Sequence, residues 1–164
     1  MSEKAVFRLI TLFLKFLGII SSVLSTRLRT RYGEFLGDMM RFLGPGRYKI
    51  TYDNLKMAFP KENEDWYYET VVKSYRNLGI TLAETLAMPY FKESDIRKYI
   101  YYENIELLSD VYKRGKGLLL LSGHYGNWEL LAYTAGLFTG IPINVIVKPQ
   151  KNFIADELLN KYRT

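Results

Sequence analysis

The sequence predicts an α/β protein that begins with an N-terminal membrane helix and a helical segment and ends in the first βαβ unit of an incomplete sheet. Three observations predict this fold class. The first 24 residues are mostly apolar, the middle of the chain has apolar residues at helical spacing, and the last third has two short strand-like runs around a helical one. A length of 164 residues fits one domain with its own core. We expect a basic membrane-anchoring segment over 1–31 and a single domain over 32–164.

The N-terminal helix is predicted from residues 5–24, AVFRLITLFLKFLGIISSVL, in which Arg8 and Lys15 interrupt the apolar run. A spanning helix needs about 20 apolar residues, but a central lysine costs roughly 2.5–3.5 kcal/mol. A spanning helix and an amphipathic helix lying in the interface therefore both fit. Lys15 and the missing Ala-x-Ala site disfavour a cleaved signal peptide. Three arginines follow directly, at Arg27, Arg29 and Arg31.

The excess positive charge is confined to the same part of the chain. Residues 1–50 hold nine Lys and Arg against three acids, whereas the remaining residues hold fourteen of each sign. This favours a local anionic partner, such as a membrane surface, rather than a uniformly basic protein surface. We expect no nucleic acid among the partners. The arginine cluster would keep the rest of the chain on the cytoplasmic side. The chain has no cysteine, which excludes disulfides, thiol nucleophiles and thiolate metal sites.

The middle of the chain predicts helices that serve for packing. Gly44-Pro45-Gly46 marks a break, Pro60 ends one helix, and Asn63 is a candidate N-cap for the next. That next helix is predicted over 64–88 from apolar side chains at helical spacing, Val71, Tyr75, Leu78, Leu82 and Leu86. Ser94-Asp95 predicts the start of a short helix, and 104–114 predicts another that ends at Gly115.

The last third predicts strand, crossover helix and strand. Gly117-LLLLS is a short unalternating apolar run, typical of a strand buried on both faces of a parallel sheet. NWELLAYTAGLF, residues 127–138, predicts a helix with Asn127 as its N-cap, and INVIVK, residues 143–148, is β-branched and strand-like. A further helix is predicted over 153–162.

The single histidine of the chain, His124, lies between the first predicted strand and this helix, in SGHYGNWEL. If His124 and Glu129 shared a helix, five residues would separate them by about 140°. They can meet only if His124 lies in the loop before the helix, which the flanking glycines allow. The loop would then lie at the carboxyl end of a parallel strand, where open sheets bind ligands. Lys148 would emerge at the same edge.

An imidazole beside a carboxylate indicates general-base chemistry. The histidine side chain changes charge near physiological pH, and a carboxylate on its other ring nitrogen fixes the tautomer. Ser122 is a weaker candidate nucleophile, because Ser-Gly-His is not the Gly-x-Ser-x-Gly elbow. One histidine and no cysteine make a zinc site weaker still. The residues favour direct transfer, in which His124 deprotonates an acceptor hydroxyl that attacks an activated acyl group.

The motif GHYGNWEL resembles the HxxxxD/E signature of membrane glycerolipid acyltransferases and is similar, more narrowly, to the late acyltransferases of lipid A biosynthesis, the lauroyl and myristoyl transferases. The wider chain follows the same family's order, through Asn54-Leu55 with Ala58-Phe59-Pro60, then Arg76-Asn77-Leu78-Gly79 with Glu84, then Val147-Lys148-Pro149 with Asn152 and Asp156. The βαβ unit would accordingly be the first of a glycerolipid-acyltransferase-like αβ domain, and the chain would correspond to the N-terminal half of the family, C-terminally truncated.

The resemblance implies transfer of a fatty-acyl group from an acyl carrier protein thioester to a hydroxyl of a lipid A precursor. It places the reaction at the inner membrane of a Gram-negative-type bacterium, on the cytoplasmic face, with no metal and no organic cofactor. By motif match, His124 would be the general base and Glu129 its orienting partner. The implied substrate-binding residues are Lys148, Asn127, Trp128 and Asn152.

Two alternatives to this function stay open from the sequence. The first is a lysophospholipid or other glycolipid acyltransferase, because the sequence does not separate the acceptors. The second is a non-catalytic, membrane-associated fragment that binds lipid or a partner and exposes the Leu118–Leu121 run. The family usually has Arg where this chain has Lys148, and lysine binds a phosphate as a point charge rather than a bidentate fork.

Overall fold

The computed structural model describes residues 3–146, and every regular element in this range is helical. Seven α-helices follow one another: α1 Glu3–Val23, α2 Thr26–Leu43, α3 Pro45–Ala58, α4 Glu64–Ala87, α5 Glu93–Tyr99, α6 Glu106–Tyr112 and α7 Trp128–Thr139. A single 3₁₀ turn, Met88–Tyr90, extends the end of α4. The helix boundaries at Gly44 and before Pro60 agree with the breaks expected from the sequence.

Helix α4 is the centre of the bundle, since α1, α2, α3 and α7 all pack against it. Its start is confirmed at Asn63, whose side chain accepts a hydrogen bond of 2.9 Å from the backbone N–H of Trp66. The buried stripe repeats every three or four residues, through Tyr67, Val71, Tyr75, Gly79, Ala83, Leu86 and Ala87. The expected stripe is therefore only partly right: Leu78 is 44% exposed, and small residues occupy the crossing points instead.

Helices α2 and α4 cross so closely that their backbones touch. A Cβ atom on Gly79 would lie 2.1 Å from the carbonyl oxygen of Gly33 and 2.4 Å from the backbone nitrogen of Gly37. The two α2 glycines are one helical turn apart and both buried, so they form a smooth groove for α4. Small residues at such positions let helices approach at backbone distance.

Helix α1 packs on α4 in the same manner, through one narrow face. Gly18 faces the carbonyl oxygen of Leu86, and the buried hydroxyl of Ser21 donates a hydrogen bond of 2.7 Å to the carbonyl of Ala83. Many of the large apolar side chains of α1 are exposed, among them Leu12, Phe13 and Phe16. Within the described residues it is the one helix long and apolar enough to cross a membrane, over Ala5–Val23, with a mean hydropathy of 1.9 and 11% of that window buried.

The predicted βαβ unit is wrong for the part of the chain that the structure describes. Neither 117–122 nor 143–146 forms a strand, and within residues 3–146 no backbone hydrogen bond joins the two segments. Leu119 and Leu121 are 79% and 84% exposed. A short apolar run favours an extended backbone, but it forms a β-strand only when it makes hydrogen bonds to a neighbouring strand. Residues 147–148 and the helix expected over 153–162 lie outside the described residues.

Candidate active site

The candidate site is built on the N-terminus of α7. As the sequence predicts, Asn127 is its N-cap: the side-chain oxygen accepts a hydrogen bond of 3.0 Å from the backbone N–H of Leu130. This bond occupies one of the otherwise unpaired amide groups of the first turn. Glu129 lies in the same turn and is half-buried, where the partial positive charge of the helix N-terminus favours a carboxylate.

His124 lies in the loop directly before α7, which confirms that it is not part of the helix. It is the central residue of a three-residue turn, in which the carbonyl of Gly123 accepts a hydrogen bond of 2.9 Å from the N–H of Tyr125. Gly126 then adopts a positive φ of 59°, a conformation that glycine tolerates. The imidazole is exposed and packs against the indole of Trp128, with ring centroids 4.8 Å apart.

The structure does not confirm the other predicted site residues. The pairing of His124 with Glu129 stays a prediction, because the described ring contact of His124 is with Trp128, the residue directly before Glu129. Lys148 and Asn152 lie outside the described residues. The reasoning that placed Lys148 beside His124 assumed the edge of a parallel sheet, and no such edge forms in residues 3–146. No group of three or more His, Cys, Asp or Glu side chains in that range is arranged to hold a metal ion.

The body of α7 is docked by the segment before it. The hydroxyl of Tyr102 donates a hydrogen bond of 2.7 Å to the carbonyl of Leu131 and lies 2.6 Å from the hydroxyl of Thr134. Burial raises the pKa of Tyr102, an effect partly offset by its hydrogen bond to Thr134. Arg97 adds a hydrogen bond of 3.2 Å to the carbonyl of Leu137. These contacts hold the middle and the C-terminal half of the helix.

The first turn of α7 is held separately, by a residue of α4 for which no role was predicted. The carboxylate of Glu84 in α4 accepts a hydrogen bond of 2.9 Å from the side-chain amide of Asn127. The two residues are 43 positions apart, so nothing in local sequence connects them. The available signal was the place of Glu84 in the family pattern, directly after the buried Ala83.

The three arginines expected to anchor the membrane have different surroundings. Arg27 and Arg31 are exposed, whereas Arg29 is half-buried and turned inward. Its guanidinium donates hydrogen bonds of 2.8 Å to the carbonyls of Ser21 and Leu24, at the end of α1. It also lies 4.6 Å from the centre of the Phe91 ring. Burial lowers the pKa of Arg29, while the charge of Glu84 acts in the opposite direction.

Comparison with known proteins identifies the family. The family model for bacterial lipid A biosynthesis acyltransferases matches residues 3–164. The chain is 25% identical to the lipid A biosynthesis palmitoleoyltransferase of Escherichia coli K12 over 120 residues, which is 73% of this chain and 39% of that protein. It is 31% identical to the lipid A biosynthesis lauroyltransferase of the same organism over 108 residues, 65% of this chain and 35% of that protein.

The chain thus spans less than half the length of these curated relatives. No solved structure matches it significantly. The site described above, with its histidine turn before α7, lies within the matched range. Since the family model covers residues 3–164, the chain belongs to the bacterial lipid A biosynthesis acyltransferase family.

Proposed function

We propose that the chain carries the catalytic base of an enzyme that transfers a fatty-acyl group from acyl carrier protein to a hydroxyl of a lipid A precursor. The observation that carries the proposal is the single histidine, exposed in a turn at the N-terminus of α7 within a chain of this family. The named activities of the relatives, palmitoleoyl and lauroyl transfer in lipid A biosynthesis, support the reaction class.

In this proposal His124 takes the proton of the acceptor hydroxyl as the oxygen attacks the thioester carbonyl of the donor. The tetrahedral intermediate collapses with loss of the thiolate, which takes the proton back from the imidazolium and leaves as a thiol. A general base of this kind contributes typically about 10²–10⁴-fold to the rate. Glu129 would orient the imidazole and stabilise its positive form. Lys148 and Asn152 would bind the anionic and polar groups of the substrate, and Trp128 would support the imidazole.

We propose further that residues 1–31 attach the chain to the inner membrane and that residues 32–164 face the cytoplasm. The length and hydropathy of α1 support attachment, and so do its exposed apolar side chains, among them Leu12, Phe13 and Phe16. The exposed arginines Arg27 and Arg31 follow α1 and support the cytoplasmic orientation under the positive-inside rule.

The proposal is tested with the purified chain reconstituted in lipid vesicles, labelled acyl-acyl carrier protein and a tetra-acylated lipid A precursor. We expect His124→Ala to abolish transfer and to leave association with the vesicles intact. Ser122→Ala is the matched control from the same loop, and we expect it to transfer at the wild-type rate because no acyl-enzyme is formed. Full activity in His124→Ala would remove His124 from the mechanism.

A second candidate function is a membrane-associated protein without turnover that binds lipid or a partner. The exposure of Leu119 and Leu121 favours it, because large apolar side chains in an unpaired segment are available for binding. The same assay separates the two functions. Absence of transfer by the wild-type chain, together with retained vesicle binding, would contradict the enzymatic proposal and support the second candidate.

A further inference from the structure

The loop that carries His124 has few attachments of its own. Side chains from Lys116 to Gly126 are exposed, and the backbone hydrogen bond described within this stretch is the one that closes the turn around His124. The position of the imidazole therefore depends on the end of α7, where the loop joins the helix at Asn127.

Asn127 holds the N-terminus of α7 through both the oxygen and the nitrogen of its side-chain amide. Its oxygen accepts from the N–H of Leu130, and its nitrogen donates to a carboxylate oxygen of Glu84. The chemistry determines this orientation, because a backbone N–H can only donate and an ionised carboxylate can only accept. The first turn of α7 is thereby tied to α4, three residues after His124.

The carboxylate of Glu84 also interacts electrostatically with a second residue, Arg29. The guanidinium of Arg29 donates hydrogen bonds to the carbonyls of Ser21 and Leu24 at the end of α1 and lies over the ring of Phe91. A fixed positive charge thus acts on the carboxylate of α4 that accepts the hydrogen bond of Asn127.

Loss of this bond would not undock α7 as a whole. Tyr102 and Arg97 hold its middle and its C-terminal half independently, through Leu131, Thr134 and Leu137. The contact between Glu84 and Asn127 therefore acts on the first turn and the histidine loop alone.

We propose that Glu84 is a positioning residue, which acts through Asn127 to fix where His124 meets its substrate. This inference rests on the proposed function only in that His124 is the general base there. The expected consequence of a broken bond is a lower kcat with little change in KM, because His124 acts in the transition state rather than in substrate binding.

The test exchanges the donor and the acceptor of the hydrogen bond between Asn127 and Glu84. Asn127→Asp keeps the oxygen that caps Leu130 but loses the donor and places two carboxylates together. Glu84→Gln in that background returns a donor, with the polarity of the bond reversed and the net charge of the wild type. A residue that merely binds substrate through the Asn127 amide would not be rescued by a change in α4.

The first readout is the NMR signal of the imidazole in detergent micelles. Because His124 is the single histidine of the chain, its ring protons give one set of resonances, displaced by the ring current of Trp128 at 4.8 Å. Trp128→Leu gives the undisplaced position. We expect Asn127→Asp to move the resonance toward that position and the double variant to restore it. An unmoved resonance in Asn127→Asp, or a failure of the double variant to restore it, would overturn the inference.

The second readout is acyl transfer under the conditions used for His124→Ala. We expect kcat to fall about 100-fold in Asn127→Asp, the scale of a misplacement of about 1 Å, and to recover to within a few-fold in the double variant. An unchanged kcat despite a moved resonance would also overturn the positioning role. Absence of transfer in the wild type would count against the proposed function alone, since the imidazole resonance still decides whether Glu84 sets the position of His124.

Discussion

Tyr102 is the residue through which the segment between α5 and α6 holds α7. Its hydroxyl contacts the carbonyl of Leu131 and the hydroxyl of Thr134, and its ring meets Phe138 edge to face with centroids 5.4 Å apart. A hydrogen-bonded phenol at the rim of a helix interface combines apolar area with a fixed orientation. The placement of the candidate site thus depends on a side chain that takes no part in its chemistry.

Replacement of this hydroxyl gives the first prediction at the residue scale. We expect Tyr102→Phe to lower the free energy of unfolding by about 1 kcal/mol, the net contribution of a typical hydrogen bond. Tyr101→Phe is the matched control, because the neighbouring ring is 87% exposed, and it should change stability little. Chemical denaturation of both variants in detergent, followed by circular dichroism, measures the difference. Equal stability of the two variants would contradict the role assigned to Tyr102.

The same residue predicts a dependence on alkaline pH. Burial raises the pKa of Tyr102 in the folded state, so its contribution to stability is complete below the ordinary tyrosine pKa of about 10. Above that pH the unfolded chain ionises first, and the contribution is lost as the pH rises through the folded-state pKa. We expect the wild type to lose more stability between pH 9 and about 11 than Tyr102→Phe does. Parallel losses in both proteins would refute this assignment.

At the residue scale, local sequence determined much of the site. Asn127 could be identified as an N-cap because its partner, the N–H of Leu130, is three residues away. The glycines around His124 indicated a turn for the same local reason. Glu84 could not be found in this way, because its hydrogen bond joins two helices whose contact depends on the folded bundle.

At the scale of elements, the contact between α2 and α4 depends on the absence of side chains. Gly33 and Gly37 face Gly79, and a methyl group on any of the three would overlap backbone atoms of the opposite helix. Backbone atoms move only if the helices separate. The crossing therefore leaves no room for a side chain at these three positions.

We expect Gly79→Ala to destabilise the bundle by about 3 kcal/mol, at the upper end of the usual cost of overpacking. Gly46→Ala is the matched control, because Gly46 lies in α3 with nothing within 4 Å of an added Cβ. That substitution should be neutral or should stabilise the helix by up to about 1 kcal/mol. Thermal unfolding of both variants in the same detergent gives the comparison. A Gly79→Ala variant as stable as Gly46→Ala would show that the helices do not cross at backbone distance.

The spacing of apolar residues predicted the helices better than it predicted their buried faces. Helix α4 was predicted correctly from its apolar spacing and from Asn63. Its buried face was predicted wrongly at Leu78, because the buried glycine and alanine residues add little to an apolar pattern. The two strands failed for a different reason. Leu118–Leu121 has the composition of a buried strand, yet pairing is a property of two segments and cannot be read from one.

At the scale of the molecule, apolar side chains are exposed on more than one helix. Large examples occur on α1 and α2, at Phe13, Phe16, Phe35, Phe42 and Leu43. Extended exposed apolar surfaces mark contact sites for proteins or membranes. The proposed membrane attachment would accordingly involve α2 as well as α1, with the basic residues at the start of α2 near the lipid headgroups.

The arginines at the start of α2 allow this to be tested. We expect the combined substitution Arg27→Gln and Arg31→Gln to weaken binding to anionic vesicles by about 2 kcal/mol, or ~30-fold, with less effect on neutral vesicles. Arg29→Gln is the contrasting variant. Because Arg29 bonds the carbonyls of Ser21 and Leu24, it should lower the unfolding temperature and leave vesicle binding nearly unchanged. Vesicle flotation and thermal unfolding separate the two effects, and equal flotation losses in both variants would contradict the distinction.

The central place of α4 has a consequence for the order in which the chain is synthesised. Helices α1 and α2 leave the ribosome first, but the surfaces that receive Gly18, Gly33 and Gly37 belong to α4, which ends at Ala87. At about 5–20 residues per second, the interval is on the order of seconds. During that time the two early helices have no protein partner for their glycine faces. Under the proposed membrane attachment, the lipid surface would cover them until α4 emerges, and assembly of the bundle waits for translation to pass residue 87.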